Sequence, residues 1–132
     1  MKIFFSFILV ILFTSCSIGD ETSFSLVCNG TESIESSTFG KSNEPKSKTY
    51  NFKNKKLENY DCHTWTSEKI VCSLNSEPNS LLFQHSVINI DRVSGLISSG
   101  FMESVKTDKG SIISSSITRF NGKCEKVDKK KF

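Results

Sequence analysis

The sequence predicts an all-β fold, a small antiparallel barrel or sandwich of about seven or eight strands arranged as a meander. The 132-residue chain contains no alanine, the strongest helix former, whereas the strand-favouring residues Ile, Phe and Thr are frequent. Short segments alternate apolar and polar residues, and turn signals separate them at spacings of about ten residues. We therefore expect strands rather than a helical bundle, and the length suffices for one small core.

Residues 1–15 have the features of a secretory signal peptide. Lys2 provides a positive start, and the 11 residues of 3–13 are apolar except for Ser6. As a helix, this segment would extend about 17 Å, which is too short for a hydrocarbon layer of about 30 Å. We therefore expect a signal-peptide helix and export to a bacterial cell envelope (periplasm or outer membrane) or to the medium.

The residues before Cys16 resemble a bacterial lipobox, in which small residues precede the cysteine that receives a lipid. Thr14 and Ser15 occupy the two positions before Cys16, while Phe13 stands where leucine is usual. The resemblance implies lipidation at Cys16 and a membrane anchor, with residues 16–23 as a polar tether. Ordinary signal cleavage just beyond Cys16 is the alternative.

Residues 24–132 are predicted to form a single β domain with a basic C-terminal tail. Alternation of Phe24, Leu26 and Cys28 places these three side chains on one face of the first strand. The predicted strands are 24–28, 49–53, 62–66, 69–74, 81–90, 96–103, 110–120 and 123–127.

Turn signals separate these strands. Residues 31–48 show little apolar periodicity and are predicted to be a loop, with one short strand near Phe39. Gly95 is expected to adopt a positive φ in its turn, as glycine does at little cost. The other predicted turns and loops are Asn29-Gly30, 54–59, Ser67-Glu68, 75–80 and 91–95, and Asn121-Gly122 is expected to be a tight turn or a bulge.

The cysteines predict two disulfide bonds. Lipidation or cleavage removes Cys16, which leaves four cysteines, an even number suited to an oxidising compartment. Cys28 lies in the first predicted strand and Cys124 in the last, so a bond between them would join the chain ends. Cys62 and Cys72 flank a predicted hairpin and form the second predicted pair. The two other connectivities stay open at this point.

Metal binding and catalysis are not predicted. A zinc set of Cys62, His63, Cys72 and His85 would lack the CxxC or HxxxH spacing that places two ligands on one turn. Neighbouring strand residues also point to opposite faces, which separates Cys62 from His63. Serine runs occur within predicted strands without a visible base or shaped turn. We therefore expect no metal, no cofactor and no enzymatic activity.

Lysines are concentrated in residues 41–56 and 123–132, although the net charge of the chain is only +3. Such clusters could contact anionic lipid headgroups or other polyanions. A solvated loop and a solvated tail are the alternative, and we favour it. The small charge excess and the few aromatic residues between the lysines argue against nucleic-acid binding.

Two resemblances bear on function. Residues 88–95, followed by Gly122-Lys123-Cys124 and a lysine-rich end, resemble small uncharacterised exported proteins of AT-rich marine bacteria. That resemblance implies a secreted β domain with a disulfide near the C-terminus. Cys16, Cys28 and Cys124 also give the chain an outline similar to that of the membrane-bound lysozyme inhibitors, which are lipid-anchored β-barrels of about this length.

The lysozyme inhibitors carry a Ser-Gly pair followed by tyrosine in their inhibitory loop. Here Ser94-Gly95 is followed by Leu96 and Ile97. We therefore expect a non-enzymatic binding module of the cell envelope, whose protein partner or ligand the sequence does not specify. Inhibition of an envelope-targeting enzyme such as lysozyme is the alternative.

Overall fold

The computed structural model describes residues 22–127, and within them the chain is all-β. The predicted signal-peptide helix, Cys16, most of the tether and the end of the basic tail lie outside the described residues. The seven strands are β1 (Phe24–Ser36), β2 (Gly40–Phe52), β3 (Asp61–Trp65), β4 (Lys69–Asn79), β5 (Leu82–Asp91), β6 (Leu96–Lys106) and β7 (Ile112–Val127). The predicted all-β class is confirmed.

The seven strands form one open antiparallel sheet in the order β2-β1-β7-β6-β5-β4-β3. Strands β3 to β7 form a meander, and β1 then pairs with β7, so the first and last strands are neighbours. Strands β2 and β3 are the two edges. Side chains of the two edges meet, because the Phe52 ring of β2 lies 5.5 Å from the Trp65 ring of β3. The sheet is therefore curled around its inner face.

The curled sheet has two distinct ends, because neighbouring strands run in opposite directions. The start of β1 lies beside the ends of β2 and β7 at one end, together with the turns at 66–68 and 92–95. We call this the core end. The turns at 37–39, 80–81 and 107–111 lie at the opposite end, which we call the tip end.

The hydrophobic core fills the inner face toward the core end. Leu57 closes part of the space between the two sheet edges, since it is buried although it belongs to the connection between β2 and β3. The period of two along each strand places the other core residues on one face. The buried core consists of Leu26, Cys28, Tyr50, Phe52, Leu57, Ile70, Cys72, Ile88, Ile90, Ile97, Phe120 and Cys124.

The prediction of a loop over residues 31–48 is wrong. Strand β1 continues to Ser36 and β2 begins at Gly40, and the two pair in register along their whole length. These polar residues form strands because β1 also pairs with β7, so the ladder rather than local apolar periodicity holds them. Phe39 is in the turn, not in a strand, and Pro45 is tolerated because β2 is an edge strand.

Three further boundaries differ from the predictions. Asn29-Gly30 lies within β1 instead of forming a turn, and Asn121-Gly122 lies within β7, which joins two predicted strands. Gly30 and Gly122 are opposite each other, and a Cβ on Gly30 would lie only 2.1 Å from the Asn121 carbonyl oxygen. Glycine is therefore needed for close approach of two strands. The predicted loop at 75–80 belongs largely to β4, which reaches Asn79 through an irregularity after Ser76.

Candidate functional site

Lysines from two distant parts of the chain lie together at the core end. Phe24 at the start of β1 is opposite Phe52, and Ser25 is opposite Val127. The residues that follow β2 and the last residues of β7 therefore flank the start of β1. The lysines that flank the start of β1 in this way are Lys53, Lys55, Lys56, Lys123 and Lys126. We call them the basic surface.

The connection from 53 to 60 is a fixed structure that presents three exposed lysines. Backbone hydrogen bonds join Lys53 to Lys56 and Tyr60 to Leu57, and Leu57 is buried beneath them. Asn54 and Lys55 adopt positive φ angles of 52° and 61°. The lysine side chains therefore lie on a loop that is anchored by an apolar residue and by its own hydrogen bonds.

Residues 53–60, which we call the lysine loop, form hydrogen bonds with the two residues that precede β1. The Lys55 N–H donates to the Thr22 carbonyl oxygen at 2.8 Å, and the Asn54 N–H donates to Ser23 Oγ at 2.9 Å. Cys16 precedes Phe24 by eight residues, so even a fully extended chain spans about 30 Å or less. The length of chain therefore limits the predicted site of lipidation to within about 30 Å of the start of β1.

The other lysines of the predicted 41–56 cluster have different surroundings. Lys41 pairs with Glu35 at 3.3 Å near the tip end. Lys46 and Lys48 both form ion pairs with Glu32, which is only 7% exposed on the inner face. The Lys48 ammonium also lies 4.9 Å from the centre of the Phe120 ring. The structure thus divides the predicted cluster into a surface part and a structural part.

An apolar pocket of about 230 Å³ opens beside the basic surface at the core end. Four buried residues, Leu26, Ile70, Ile90 and Cys124, belong both to its lining and to the core. The remaining lining residues are Phe24, Asp91, Arg92, Gly95 and Lys126. The pocket is therefore apolar in its buried part and carries charged groups of both signs.

Arg92 is held in place by contacts with a carbonyl group and two aromatic rings. Its Nη1 donates to the Thr66 carbonyl oxygen at 2.6 Å. Its Cζ lies 5.8 Å from the centre of the Phe24 ring and 5.9 Å from that of Trp65, within the range of cation–π attraction. The Trp65 Nε1 is buried and has no hydrogen-bond partner among residues 22–127. Packing on rings and arginine therefore positions the indole.

The turn that carries Arg92 is organised by Asp91. One carboxylate oxygen of Asp91 accepts hydrogen bonds from the backbone N–H groups of Val93 and Ser94. The bonds from Ser94 and Val93 lower the pKa of Asp91 below its usual value, so the group is ionised at neutral pH. Gly95 follows with a φ of +74°, which confirms the predicted turn.

A polar layer covers the core on the side of the tip end. The Tyr60 hydroxyl donates to Ser86 Oγ, which in turn donates to the Gly100 carbonyl oxygen. Burial raises the pKa of Tyr50, and a hydrogen bond with the Ser99 side chain opposes this rise. These contacts connect β2 and the lysine loop to β5 and β6 across the inner face. They cover the core on this side, and Ser86 and Ser99 each serve as the hydrogen-bond partner of a tyrosine.

Two disulfide bonds link opposite residues of neighbouring strands. Cys28 is bonded to Cys124, and Cys62 is bonded to Cys72. These are the pairs expected from the strand positions, and they are compatible with an exported protein. The sheet therefore has one bond between its first and last strands and one within an edge hairpin.

The remaining sites considered from the sequence are not assembled. His63 lies beside Thr64 and His85 hydrogen-bonds with Asn75, and neither contact involves a serine. No group of His, Cys, Asp and Glu that could hold a metal ion occurs within residues 22–127. The same part of the chain has no helix that is long and apolar enough to cross a membrane.

Sequence reasoning did not find the pocket. Its lining comes from β1, β4, β5 and β7 and from the turn after β5, so the residues are far apart in sequence. The one local signal was the Asp91–Gly95 turn, which carries Arg92. Comparison with protein-family models, curated proteins and solved structures found no match to this chain. The resemblances given above therefore stay predictions.

Proposed function

We propose that the protein is an exported, non-enzymatic binding module of a bacterial cell envelope. A lipid on Cys16 would anchor it, and its core end would lie on an anionic membrane surface. The observation that supports this proposal is the lysine loop, which is hydrogen-bonded to the segment arriving from Cys16. Lys53, Lys55 and Lys56 would thus be close to the headgroups whenever the anchor is inserted.

The magnitudes favour a combination of lipid and lysines. A diacylglycerol on Cys16 carries two acyl chains, which suffice for stable attachment, so the lysines would act on the orientation of the anchored domain. Each lysine near an anionic surface contributes about 1 kcal/mol. The loop at 53–60 carries three lysines and one carboxylate, Glu58, so its positive charges are in excess. The basic surface would therefore hold the core end, rather than the tip end, against an anionic membrane.

A binding role is also consistent with the polar groups of the inner face. Ser86 and Ser99 hydrogen-bond with tyrosines, and Glu32 is neutralised by lysines. A hydrolase would need a nucleophile in contact with a base. The described residues form no such contact, so we propose recognition rather than catalysis.

Vesicle binding tests the membrane orientation. Mature protein carrying Cys16→Ser should bind phosphatidylcholine vesicles better when phosphatidylglycerol is included, and salt should weaken this binding. The triple variant K53E/K55E/K56E should lose about tenfold or more in affinity. The matched control K41E/K106E/K109E changes the same charge at the tip end and should bind nearly as the parent does. Equal losses in both triple variants would contradict the orientation.

The anchor itself requires a separate measurement. Mass spectrometry of the mature N-terminus should show diacylglycerol on Cys16. An unmodified N-terminus beyond Ser17 would exclude the anchor and keep export.

Inhibition of an envelope-targeting enzyme such as lysozyme is the second candidate function. It is favoured by the turn at 92–95, because Asp91 fixes its backbone and Val93 is 79% exposed. A rigid turn with an exposed apolar side chain is suited to insertion into a partner. Lysozyme activity should then fall with added protein and recover with Val93→Asp. Full lysozyme activity at a large excess of the protein would exclude inhibition.

A further inference from the structure

We infer that the pocket at the core end binds a single-chain anionic amphiphile, specifically a medium-chain fatty-acid carboxylate. The inference deepens the proposed function by naming a ligand class, and it rests on that function only for the source of the ligand at a membrane. The pocket itself is defined by residues of the folded domain.

The apolar part of the pocket selects a chain of limited length. Leu26, Ile70 and Ile90 form the almost fully buried floor, which continues the core, and the half-buried Phe24 ring lines the more accessible part. The volume of about 230 Å³ equals that of about eight water molecules, and a methylene group is similar in size to water. The pocket is smaller than the sites that take drug-sized molecules. It therefore suits one acyl chain of about eight to ten carbons rather than a two-chain phospholipid.

The charged part of the pocket selects an anionic head. Arg92 lies over the Phe24 ring, which is part of the same lining. A guanidinium has five N–H donors, and its bond to Thr66 uses one of them. Its planar fork fits a carboxylate, and the resulting charge-assisted hydrogen bonds are strong.

The acidic lining residue does not reverse this preference. The Asp91 carboxylate accepts two backbone hydrogen bonds within its own turn. Arg92 and Lys126 together outnumber it, so the lining carries one net positive charge. An amphiphile with a negative head and a short chain matches both the charge and the apolar floor.

Trp65 supplies a direct signal for binding. It is the chain's single tryptophan, and its ring lies 5.9 Å from that of Phe24. A ligand that contacts Phe24 and Arg92 should change the surroundings of the indole. Mature protein carrying Cys16→Ser should therefore show a saturable change in Trp65 fluorescence with decanoate below its micellar concentration. Isothermal titration should give the same affinity.

Matched ligands separate charge from chain. Decyltrimethylammonium and 1-decanol have the same chain with a positive or a neutral head, and each should bind at least tenfold more weakly than decanoate. Across fatty acids of increasing length, affinity should rise by at most about fourfold per methylene and then level off near ten carbons. Equal binding of the cationic amphiphile, or an absence of saturation with decanoate, would overturn the inference.

The two arginines of the chain provide a matched pair of variants. Arg92→Gln should weaken decanoate binding at least tenfold and leave 1-decanol binding unchanged. Arg119→Gln removes the same charge on the outer face, where Arg119 pairs with Glu35, and should have no effect. Arg92→Lys should keep part of the affinity. Circular dichroism verifies that each variant is folded, and the chain-length series on the unmodified domain tests the pocket without any substitution.

The proposed membrane orientation and the proposed fatty-acid pocket can be tested independently of each other. The variant K53E/K55E/K56E should lose vesicle binding and bind decanoate within about threefold of the parent, because these lysines do not line the pocket. Loss of decanoate binding in that variant would contradict the separate pocket. Vesicle binding without decanoate binding would refute the pocket and preserve the membrane orientation.

Discussion

The core end and the tip end belong to the same hydrogen-bonded strands, but they differ in the side chains that pack on those strands. Strand β1 pairs with β2 and β7 from one end to the other. The disulfides, the contacting aromatic rings and the buried apolar side chains belong to the inner face toward the core end. At the tip end, Phe39 is 90% exposed and Ile113 is 65% exposed. Backbone pairing thus extends the strands well beyond the core.

The difference shows which interactions hold each end. A backbone hydrogen bond contributes only about 1 kcal/mol net, because the unfolded chain bonds to water. Burial of apolar surface contributes about 25 cal/mol per Å², and the core end has most of that burial. We therefore expect global stability to depend on the core end. The tip end should open locally without unfolding the rest.

The largest expected effect comes from the disulfide that joins the chain ends. C28S/C124S removes a crosslink over 96 residues, and the loop-entropy relation assigns it about 4.7 kcal/mol. C62S/C72S removes one over 10 residues and should cost about 3 kcal/mol or less. Thermal unfolding followed by circular dichroism should therefore show the larger fall in Tm for C28S/C124S. A larger fall in Tm for C62S/C72S would mean that the disulfide of the β3–β4 hairpin contributes more to the stability of the core end than the disulfide between β1 and β7.

An intermediate effect should distinguish two acidic residues of β1. Glu32 is buried and pairs with Lys46 and Lys48, whereas the Glu35 side chain is 40% exposed and pairs with the more exposed Lys41 and Arg119. Glu32→Gln should lower the free energy of unfolding by about 1–2 kcal/mol, since a buried charge-assisted bond is lost. Glu35→Gln should cost less than about 1 kcal/mol, as for exposed pairs.

Urea unfolding of both glutamate variants at low and high salt is the measurement. The Glu35 effect should shrink as salt screens its exposed pair, while the Glu32 effect should persist. Equal losses in the free energy of unfolding for the two substitutions would contradict the expected difference between the buried Glu32 pairs and the more exposed Glu35 pairs.

The smallest effect should come from the tip end. Phe39→Ser and Ile113→Ser remove exposed apolar side chains, so each should change the free energy of unfolding by less than about 0.5 kcal/mol. The matched substitution Phe52→Ser at the core end should cost several kcal/mol, about 3 or more. Urea unfolding of the three variants provides the comparison. A decrease of more than about 1 kcal/mol in the free energy of unfolding for Phe39→Ser would show that apolar side chains at the tip end contribute to global stability.

Local sequence patterns correctly predict the fold class, the apolar face of β1, the hairpin around Ser67-Glu68 and the turn at Gly95. Each of these depends on local chemistry: a period of two, a short turn or a residue that accepts positive φ. The cysteine positions also indicated both disulfide pairs. Export and lipidation of Cys16 stay predictions, since they concern residues outside those described.

The other features of the fold depend on contacts between residues that are distant in sequence. Polar residues such as Glu44 and Ser47 form a strand because β1 provides a paired edge, which no local pattern reveals. Position 30 requires glycine because the backbone at Gly122, about ninety residues later in the chain, approaches it too closely for a side chain. Arg92 meets Phe24 and Trp65 because the sheet curls. Contacts between residues distant in sequence depend on strand order and curvature, and a single sequence specifies these only through the packing of the whole domain.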